Sequence, residues 1–314
     1  MNLAYFSMSY DCNEKCIFCP CSENAREIEP LSLDEMKRSV DIILAKGPLD
    51  IAVISGGEPT LNKEFAEFAA YLIEKNIKIG LLSNSLKFAS KRYLNLLLGI
   101  TGTGMLEVTT AFHSHLPEKH NLLTGLPNSF EKSLQGILNV VEAGVKVSVK
   151  YNLINHTYIA LPEYIDWVYR TFPDKVNLII CNIDLTGIAL KNKELTAVSF
   201  ADSAPLLEEA LDKVIEYQNE GRSRNVRVFD TPLCTLDPYY WDFVESGAGT
   251  NVSALRIPSD SPEKNRLYLD VDGDSGTLFE PCNRCEVKDI CPGTWRRTGE
   301  YFGNEIFQPI EEEI

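Results

Sequence analysis

The amino-acid sequence predicts an α/β protein whose parallel sheet is covered by helices on the outside. Three observations lead there. Short apolar runs alternate with amphipathic helical stretches through six consecutive units between residues 3 and 181. The glycine-, cysteine- and asparagine-bearing turns follow the strand-like runs, at the strand ends where ligands collect in parallel α/β sheets. The 314-residue length is enough for one large core plus a small appendage. Right-handed crossovers curl such a sheet one way, so the count is compatible with an incomplete barrel. Periodicity by itself leaves an open doubly wound sheet equally available.

The elements follow in order. Residues 3–10 read as a strand, and a cysteine-bearing loop comes next. Ser32 offers an N-cap with Glu35 three residues on, a capping-box pattern. Leu33, Met36, Val40, Ile43 and Leu44 recur at helical spacing up to Lys46, and Gly47-Pro48 ends that helix. Residues 49–54 form a short apolar run typical of a strand buried on both faces. Helix 62–75, strand 77–82, helix 90–98 and strand 106–111 continue the alternation. A long polar loop with His113, His115 and His120 follows. These histidines read as solvent-side groups, with a catalytic or metal role for His113 or His115 as the alternative. Helix 129–143, strand 145–153, helix 161–171 and strand 176–181 complete the regular part. Residues 184–201 read as loop, 205–220 as a helix and 226–229 as a short strand. The boundary falls near residue 220, giving a main domain over 1–220 and an extension over 221–314.

Composition sets the class. Hydrophobic content of 44% and charged content of 24% are ordinary for a soluble globular protein. No apolar run is long enough to span a bilayer, and no basic region followed by an apolar stretch opens the chain. The expected location is therefore cytoplasmic, with no membrane partner. A net charge of −15 argues against a large nucleic-acid substrate, although Arg296-Arg297 is a local basic pair. The nine cysteines cluster in a way that favours metal ligation in a reducing compartment over a disulfide framework.

The chemistry concentrates first in Cys12, Cys16 and Cys19, a C-x3-C-x2-C run directly after the first strand. A structural zinc or an ordinary [4Fe–4S] cluster takes four protein ligands. A local triad suggests a cluster with one iron left open for a substrate or cofactor, with a zinc knuckle or a fortuitous thiol cluster as alternatives. Two adjacent glycines in Gly56-Gly57-Glu58-Pro59, after the second strand, let the backbone approach a ligand closely. Ser83-Asn84 follows the third strand in the same manner.

The cysteine spacing, with the aromatic Phe18 before the last cysteine, resembles the radical S-adenosylmethionine (SAM) superfamily. The resemblance implies a partial (β/α)6 barrel and a [4Fe–4S] cluster on Cys12, Cys16 and Cys19 whose open iron is chelated by SAM. One electron then cleaves SAM to a 5′-deoxyadenosyl radical, which removes a hydrogen atom from the substrate. It implies SAM contacts at Phe18, at Gly56, Gly57, Glu58 and Pro59 for the methionine amino group, at Ser83 and Asn84, and at Asn152 near the ribose. Two departures are visible. Ser85 replaces a glycine of the Thr-Asn-Gly type turn, and Ala111 stands where a serine is usual, so Thr110 or Thr109 takes that contact. Cys21 reads as a bystander or second-layer group, and Cys181 as a buried core thiol.

A second cysteine group, Cys282, Cys285 and Cys291, has C-x2-C-x5-C spacing, and Cys234 is the natural distant fourth ligand. A hairpin is expected to deliver Cys282, with strand 266–271, turn 272–276 and return strand 277–280. The acidic turn departs from a calcium loop, with Ser275 and Pro281 at positions that need Gly and Glu. Four thiolates suit a closed [4Fe–4S] site, with structural zinc or disulfide chemistry as alternatives. The arrangement resembles the auxiliary-cluster extension of SPASM and twitch-type peptide maturases. The further C-x3-C tail is missing, which implies one auxiliary cluster.

The expected function is therefore a radical SAM enzyme maturing a ribosomally made peptide, with the auxiliary [4Fe–4S] cluster assisting oxidation or substrate binding. The alternatives are a radical SAM dehydrogenase of an alcohol or sugar, and a non-catalytic iron–sulfur or zinc adaptor. An external one-electron donor of flavodoxin or ferredoxin type is implied. Because Cys12 lies so near Met1, a separate leader-binding partner, or no leader, is expected.

Overall fold

Alternation along the strands sorts the sheet into an apolar face and a polar one. The computed structural model describes residues 1–246, 251–255 and 276–311. Its strands are β1 (Asn2–Ser9), β2 (Ile51–Gly56), β3 (Lys78–Ser83), β4 (Leu106–Ala111), β5 (Lys146–Leu153), β6 (Asn177–Asn182), β7 (Val226–Phe229) and β8 (Asn251–Leu255). They lie in the order β7-β6-β5-β4-β3-β2-β1-β8. Every neighbouring pair is parallel. The sheet does not close, because β7 and β8 remain its two edges. This is the expected partial barrel. It is wider than six strands, since β7 joins β6 and the unforeseen β8 joins β1.

The helices occupy the apolar face. They are α1 (Leu33–Lys46), α2 (Phe65–Glu74), α3 (Lys91–Thr101), α4 (Pro117–Thr124), α5 (Ser129–Glu142), α6 (Leu161–Thr171), the short α7 (Gly187–Lys191) and α8 (Lys193–Thr196), α9 (Phe200–Asn219) and α10 (Arg296–Phe302). Ala4, Phe6 and Met8 of β1, Val147, Val149 and Tyr151 of β5, and Leu178 and Ile180 of β6 all enter one continuous core. Phe6 meets Phe68 of α2 with ring centroids 5.6 Å apart, and Tyr151 meets Tyr164 of α6 at 4.3 Å. Each such side chain taken out of water contributes roughly 1.5–3 kcal/mol. The residues between them, such as Tyr5, Ser7, Ser148, Lys150 and Cys181, project to the other, concave face.

Local signals explain most boundaries. The Ser32–Glu35 capping box forms as expected, with Glu35 N–H donating to Ser32 Oγ at 3.3 Å and Ser32 N–H to Glu35 Oε2 at 2.8 Å. The stretch expected as a polar loop instead contains α4. Pro117 opens that helix, and Gly125, at φ 64°, closes it. His113 and His120 are consequently buried rather than solvent-side, at 1% and 0% exposure. His120 packs 4.3 Å from the Phe112 ring.

The expected loop 184–201 holds α7 and α8, and α9 starts at Phe200 rather than at residue 205. Ser199 caps α9 through Asp202 N–H at 3.1 Å, and the helix runs through Pro205. In the expected hairpin, residues 266–275 lie outside the described residues. The return strand reduces to one antiparallel bridge between Thr277 and Thr294, and a 3-10 turn begins at Glu280. No helix among the described residues is long and apolar enough to cross a membrane.

Candidate active site

The loop after β1 carries Cys12, Cys16 and Cys19 and is held from three sides. Lys15 N–H and Ile17 N–H donate to Thr124 O and Leu123 O at the end of α4, at 2.8 and 3.0 Å. Ile188 N–H and Ala189 N–H of α7 donate to Cys21 O and Cys19 O, at 3.0 and 2.9 Å. Asn192 Nδ2 donates to Ile17 O at 2.9 Å. Phe18 packs with Leu123 and Ile154, and its ring meets His113 edge-on at 4.3 Å. It therefore fastens the loop to α4 and the end of β5.

The third side is the Gly-Gly pair. Gly57 N–H donates to Ser9 O and Glu58 N–H to Asp11 O, both at 2.7 Å. A Cβ on Gly56 would stand 2.1 Å from Ser9 O, and one on Gly57 would stand 2.1 Å from Asp11 O. Gly56 also has φ 119°, a conformation open chiefly to glycine. The two glycines thus let β2 cross the start of the cysteine loop in direct backbone contact. The N–H groups of Gly57 and Glu58 are spent there, which leaves the glycine carbonyls as groups the pair can offer a ligand.

Glu58 is a buried brace. Its Oε1 accepts from Thr60 N–H at 3.1 Å, Thr60 Oγ at 2.6 Å and Ser83 Oγ at 3.0 Å, and its Oε2 accepts from Asn84 N–H at 2.7 Å. Burial pushes its carboxyl above the usual range against these donors. Pro59 opens the 3-10 turn that follows. Asn84 carries the brace onward, since its Nδ2 donates to Asn13 Oδ1 in the cysteine loop at 2.7 Å. Ser85 sits at φ 60°, which explains why a glycine suits that turn. Its hydroxyl pairs with Thr110 Oγ at 2.5 Å. Thr110 therefore points to the turn after β3, while Thr109 lies on the concave face. Asn152 ends β5 on that face, with a buried Oδ1 that has no partner among the described residues.

The thiols sense one another. Burial pushes Cys12 up to about 11 and Cys16 well up, and each of the three is raised by, or raises, its neighbours. Cys19 is drawn down to about 7, first by a hydrogen bond from Cys21 and further by Arg26. Glu14 N–H points at Cys12 Sγ at 3.5 Å. The Glu14 side chain is buried inside the loop, taking Ser129 Oγ at 2.5 Å and the Cys16 thiol at 3.6 Å. Burial raises it to about 7.

The second cysteine group gathers from three turns. Cys234, Cys282, Cys285 and Cys291 line one pocket with Pro232, Gly293 and Phe307. Leu233 N–H and Gly293 N–H point at Cys291 Sγ at 3.4 and 3.5 Å. Cys234 and Cys291 are raised by burial and by the other thiols. The group docks on the barrel: Trp295 Nε1 donates to Asn182 O and Thr294 Oγ to Asp230 O, each at 3.1 Å.

The model of the Radical SAM superfamily matches residues 6–168. The chain belongs to the radical SAM superfamily.

Among curated relatives, the Fe-coproporphyrin III synthase of Methanosarcina barkeri is 26% identical over 165 residues, covering 51% of this chain and 39% of that protein. A probable GTP 3′,8-cyclase of Sulfolobus acidocaldarius is 24% identical over 268 residues, covering 84% and 80%. The PqqA peptide cyclase of Rhodopseudomonas palustris is 23% identical over 203 residues, covering 62% and 52%. The chain thus spans about two fifths to four fifths of these relatives. Among solved structures, Streptococcus suis SuiB bound to the precursor peptide SuiA superposes with a TM-score of 0.65 at 15% identity, over 93% of this chain and 71% of that one.

Superfamily membership implies SAM and one [4Fe–4S] cluster, and the residues fit both. Three free thiols on one braced loop suit a cluster that leaves an iron open. The carbonyls of the Gly-Gly pair and the orphaned Asn152 Oδ1 suit a polar cofactor beside it. Among the described residues no three side chains draw close enough for a single metal ion.

The sequence reading missed Glu14, the loop contacts of α4 and α7, and a polar group of Lys150, Cys181 and Asp230. Cys181 is buried, yet its thiol donates to Asp230 Oδ2 at 3.1 Å instead of joining the apolar core. A lysine on the inward side of an alternating strand was the available signal.

Proposed function

We propose that this radical SAM enzyme abstracts a hydrogen atom from a peptide during maturation of a ribosomally made precursor, assisted by an auxiliary [4Fe–4S] cluster on Cys234, Cys282, Cys285 and Cys291. The observation that carries the reading is the second cysteine group, docked through Trp295 and Thr294 on the ends of β6 and β7. In this reading the four thiols lie beside the concave face, where they are suited to exchange electrons with a bound substrate or to hold it. The likeness of fold to a peptide-bound SuiB and the sequence match to a PqqA peptide cyclase support a peptide. When bound at Cys12, Cys16 and Cys19, the cluster and SAM supply a one-electron cleavage yielding the 5′-deoxyadenosyl radical.

The chain's own part is positional. Glu58, Asn84 and Asn13 fix the cysteine loop against the ends of β2 and β3. Phe18, Leu123 and Ile154 close its apolar side against water. Carbonyls of Gly56 and Gly57 receive the methionine ammonium, and Asn152 takes the ribose side. In this reading residues 1–220 perform the radical step and 221–314 form the cluster-bearing extension. A cytoplasmic setting, an external flavodoxin- or ferredoxin-type donor and a separate leader-binding protein complete it. A small-molecule substrate is the second reading, favoured by the relatives named for Fe-coproporphyrin III and GTP.

Anaerobic reconstitution with iron and sulfide tests the proposal. The parent should hold about eight irons, and the Cys12/Cys16/Cys19→Ala and Cys282/Cys285/Cys291→Ala variants about four each. SAM cleavage to 5′-deoxyadenosine should vanish in the first variant. About four irons in the parent, with zinc retained at the C-terminal cysteines, would remove the auxiliary cluster from the reading.

A further inference from the structure

The ladder between β4 and β5 stops at Phe112. Phe112 N–H donates to Lys150 O at 2.9 Å, and the next parallel rung would be Asn152 N–H to Phe112 O. That carbonyl instead takes the Tyr164 hydroxyl at 2.6 Å. Asn152 N–H turns to the imidazole of His113 and donates to Nδ1 at 3.3 Å. Asn152 O accepts from Thr157 Oγ at 2.9 Å. Side chains thus satisfy both backbone groups of Asn152. Its own Oδ1 is left buried with no partner among the described residues.

His113 has two further attachments. Its backbone N–H donates to His120 Nδ1 at 3.4 Å, within α4. Leu123 O and Thr124 O, at the end of the same helix, receive N–H groups of the cysteine loop. The His113 ring meets Phe18, the residue before Cys19, edge-on with centroids 4.3 Å apart. One buried residue therefore joins the end of β5, α4 and the cysteine loop. The hydrogen bond from Asn152 makes Nδ1 an acceptor, so the ring is neutral and carries its proton on Nε2. Burial, and then His120 and Lys150, hold His113 well below the ordinary histidine range, which keeps it an acceptor at neutral pH. A plain aromatic ring would suffice for Phe18 and a short amide for Asn152; histidine serves both.

We propose that His113 is a positioning residue of the SAM pocket, fixing the spacing between Asn152 on the ribose side and Phe18 on the cluster side. This rests on the reading that those two residues flank the cofactor. The orphaned Oδ1 of Asn152 supports it, since an acceptor held out of water calls for a donor, and a ribose hydroxyl is one. Without the imidazole the end of β5 has to be re-ordered as SAM binds. The histidine therefore acts on cofactor affinity.

The test is titration calorimetry with SAM on the anaerobically reconstituted full chain, in the parent, His113→Phe, His113→Asn and Asn152→Ala, with bound iron measured on each. His113→Phe keeps a ring against Phe18 and loses the acceptor. His113→Asn keeps an acceptor near the place of Nδ1 and loses the ring. His113→Phe should hold parent-like iron and bind SAM at least about fivefold more weakly, the scale of a buried N–H deprived of its partner. His113→Asn should recover affinity to within about threefold of the parent, and Asn152→Ala should bind SAM more weakly. Equal SAM affinity in the parent and His113→Phe would overturn the proposal. Iron lost from His113→Phe in step with SAM affinity would make the histidine a folding element of the cysteine loop and overturn it too. So would SAM binding by His113→Asn as weak as that by His113→Phe. Parent-like affinity in Asn152→Ala would overturn the reading of Asn152 on which the proposal stands, and is seen independently of the two His113 variants. No SAM binding by the parent would overturn the cofactor reading itself, and the proposal with it.

Discussion

Replacing Gly57 with alanine strikes the point where the cysteine loop crosses β2. The new methyl would stand 2.1 Å from Asp11 O and 2.6 Å from the carbonyl carbons of Asp11 and Tyr10. All three are backbone atoms, so no side chain can swing aside. Forcing such a contact costs about 1–3 kcal/mol. The displacement also stretches the Gly57–Ser9 and Glu58–Asp11 hydrogen bonds, both 2.7 Å, each with a net value of about 1 kcal/mol. The expected loss is about 3–5 kcal/mol, a large share of a typical total of about 5–15 kcal/mol. For a chain of this length that lowers Tm by about 4–8 °C. Gly99→Ala is the control, because Gly99 is exposed in α3 with nothing within 4 Å of its Cβ site. Helix propensity there should stabilise by about 0.5–1 kcal/mol. The assay is thermal unfolding alongside iron bound after reconstitution. Gly57→Ala should lose Tm and iron together. An unchanged Tm with full iron content would refute the close crossing and the role assigned to the glycine pair.

Glu58→Ala removes the acceptor of four donors, among them Ser83 Oγ and Asn84 N–H. The buried donors left behind should cost about 2–4 kcal/mol, measured as a lower urea midpoint, with Glu58→Gln losing less. His120, buried beside Phe112, is held down to about 4 by desolvation, against an ordinary 6.5. The unfolded chain takes up a proton on His120 as pH falls below about 6.5 while the folded chain does not. Stability conferred by the neutral histidine is therefore present at pH 7 and shrinks by about 2 kcal/mol at pH 5. Urea midpoints at the two pH values should show a smaller drop in His120→Gln than in the parent; equal drops would contradict the burial argument.

The order of β1 to β7 and of the long helices between them, and the nearness of Cys12, Cys16 and Cys19 in the chain, were determined by the sequence alone. Apolar periodicity repeats because each strand must bury one face against its helix, and capping residues such as Ser32 act within one turn. Three cysteines within eight residues, 12–19, need no tertiary fold to become neighbours. Contacts between distant segments carry no such local mark. Nothing near Pro117 announced that His120 would face Phe112, since burial depends on α4 and α5 closing over β4. The strand β8 pairs with β1 across some 250 residues of chain, a register that only the folded sheet can set. The Gly56-Gly57 pair was legible as a close-approach site, but its partner, the backbone of Ser9 and Asp11, was not. Cys181 looked like a core thiol because its neighbours in sequence are apolar. Only the convergence of β5, β6 and the turn after β7 gave it Lys150 and Asp230 as polar neighbours.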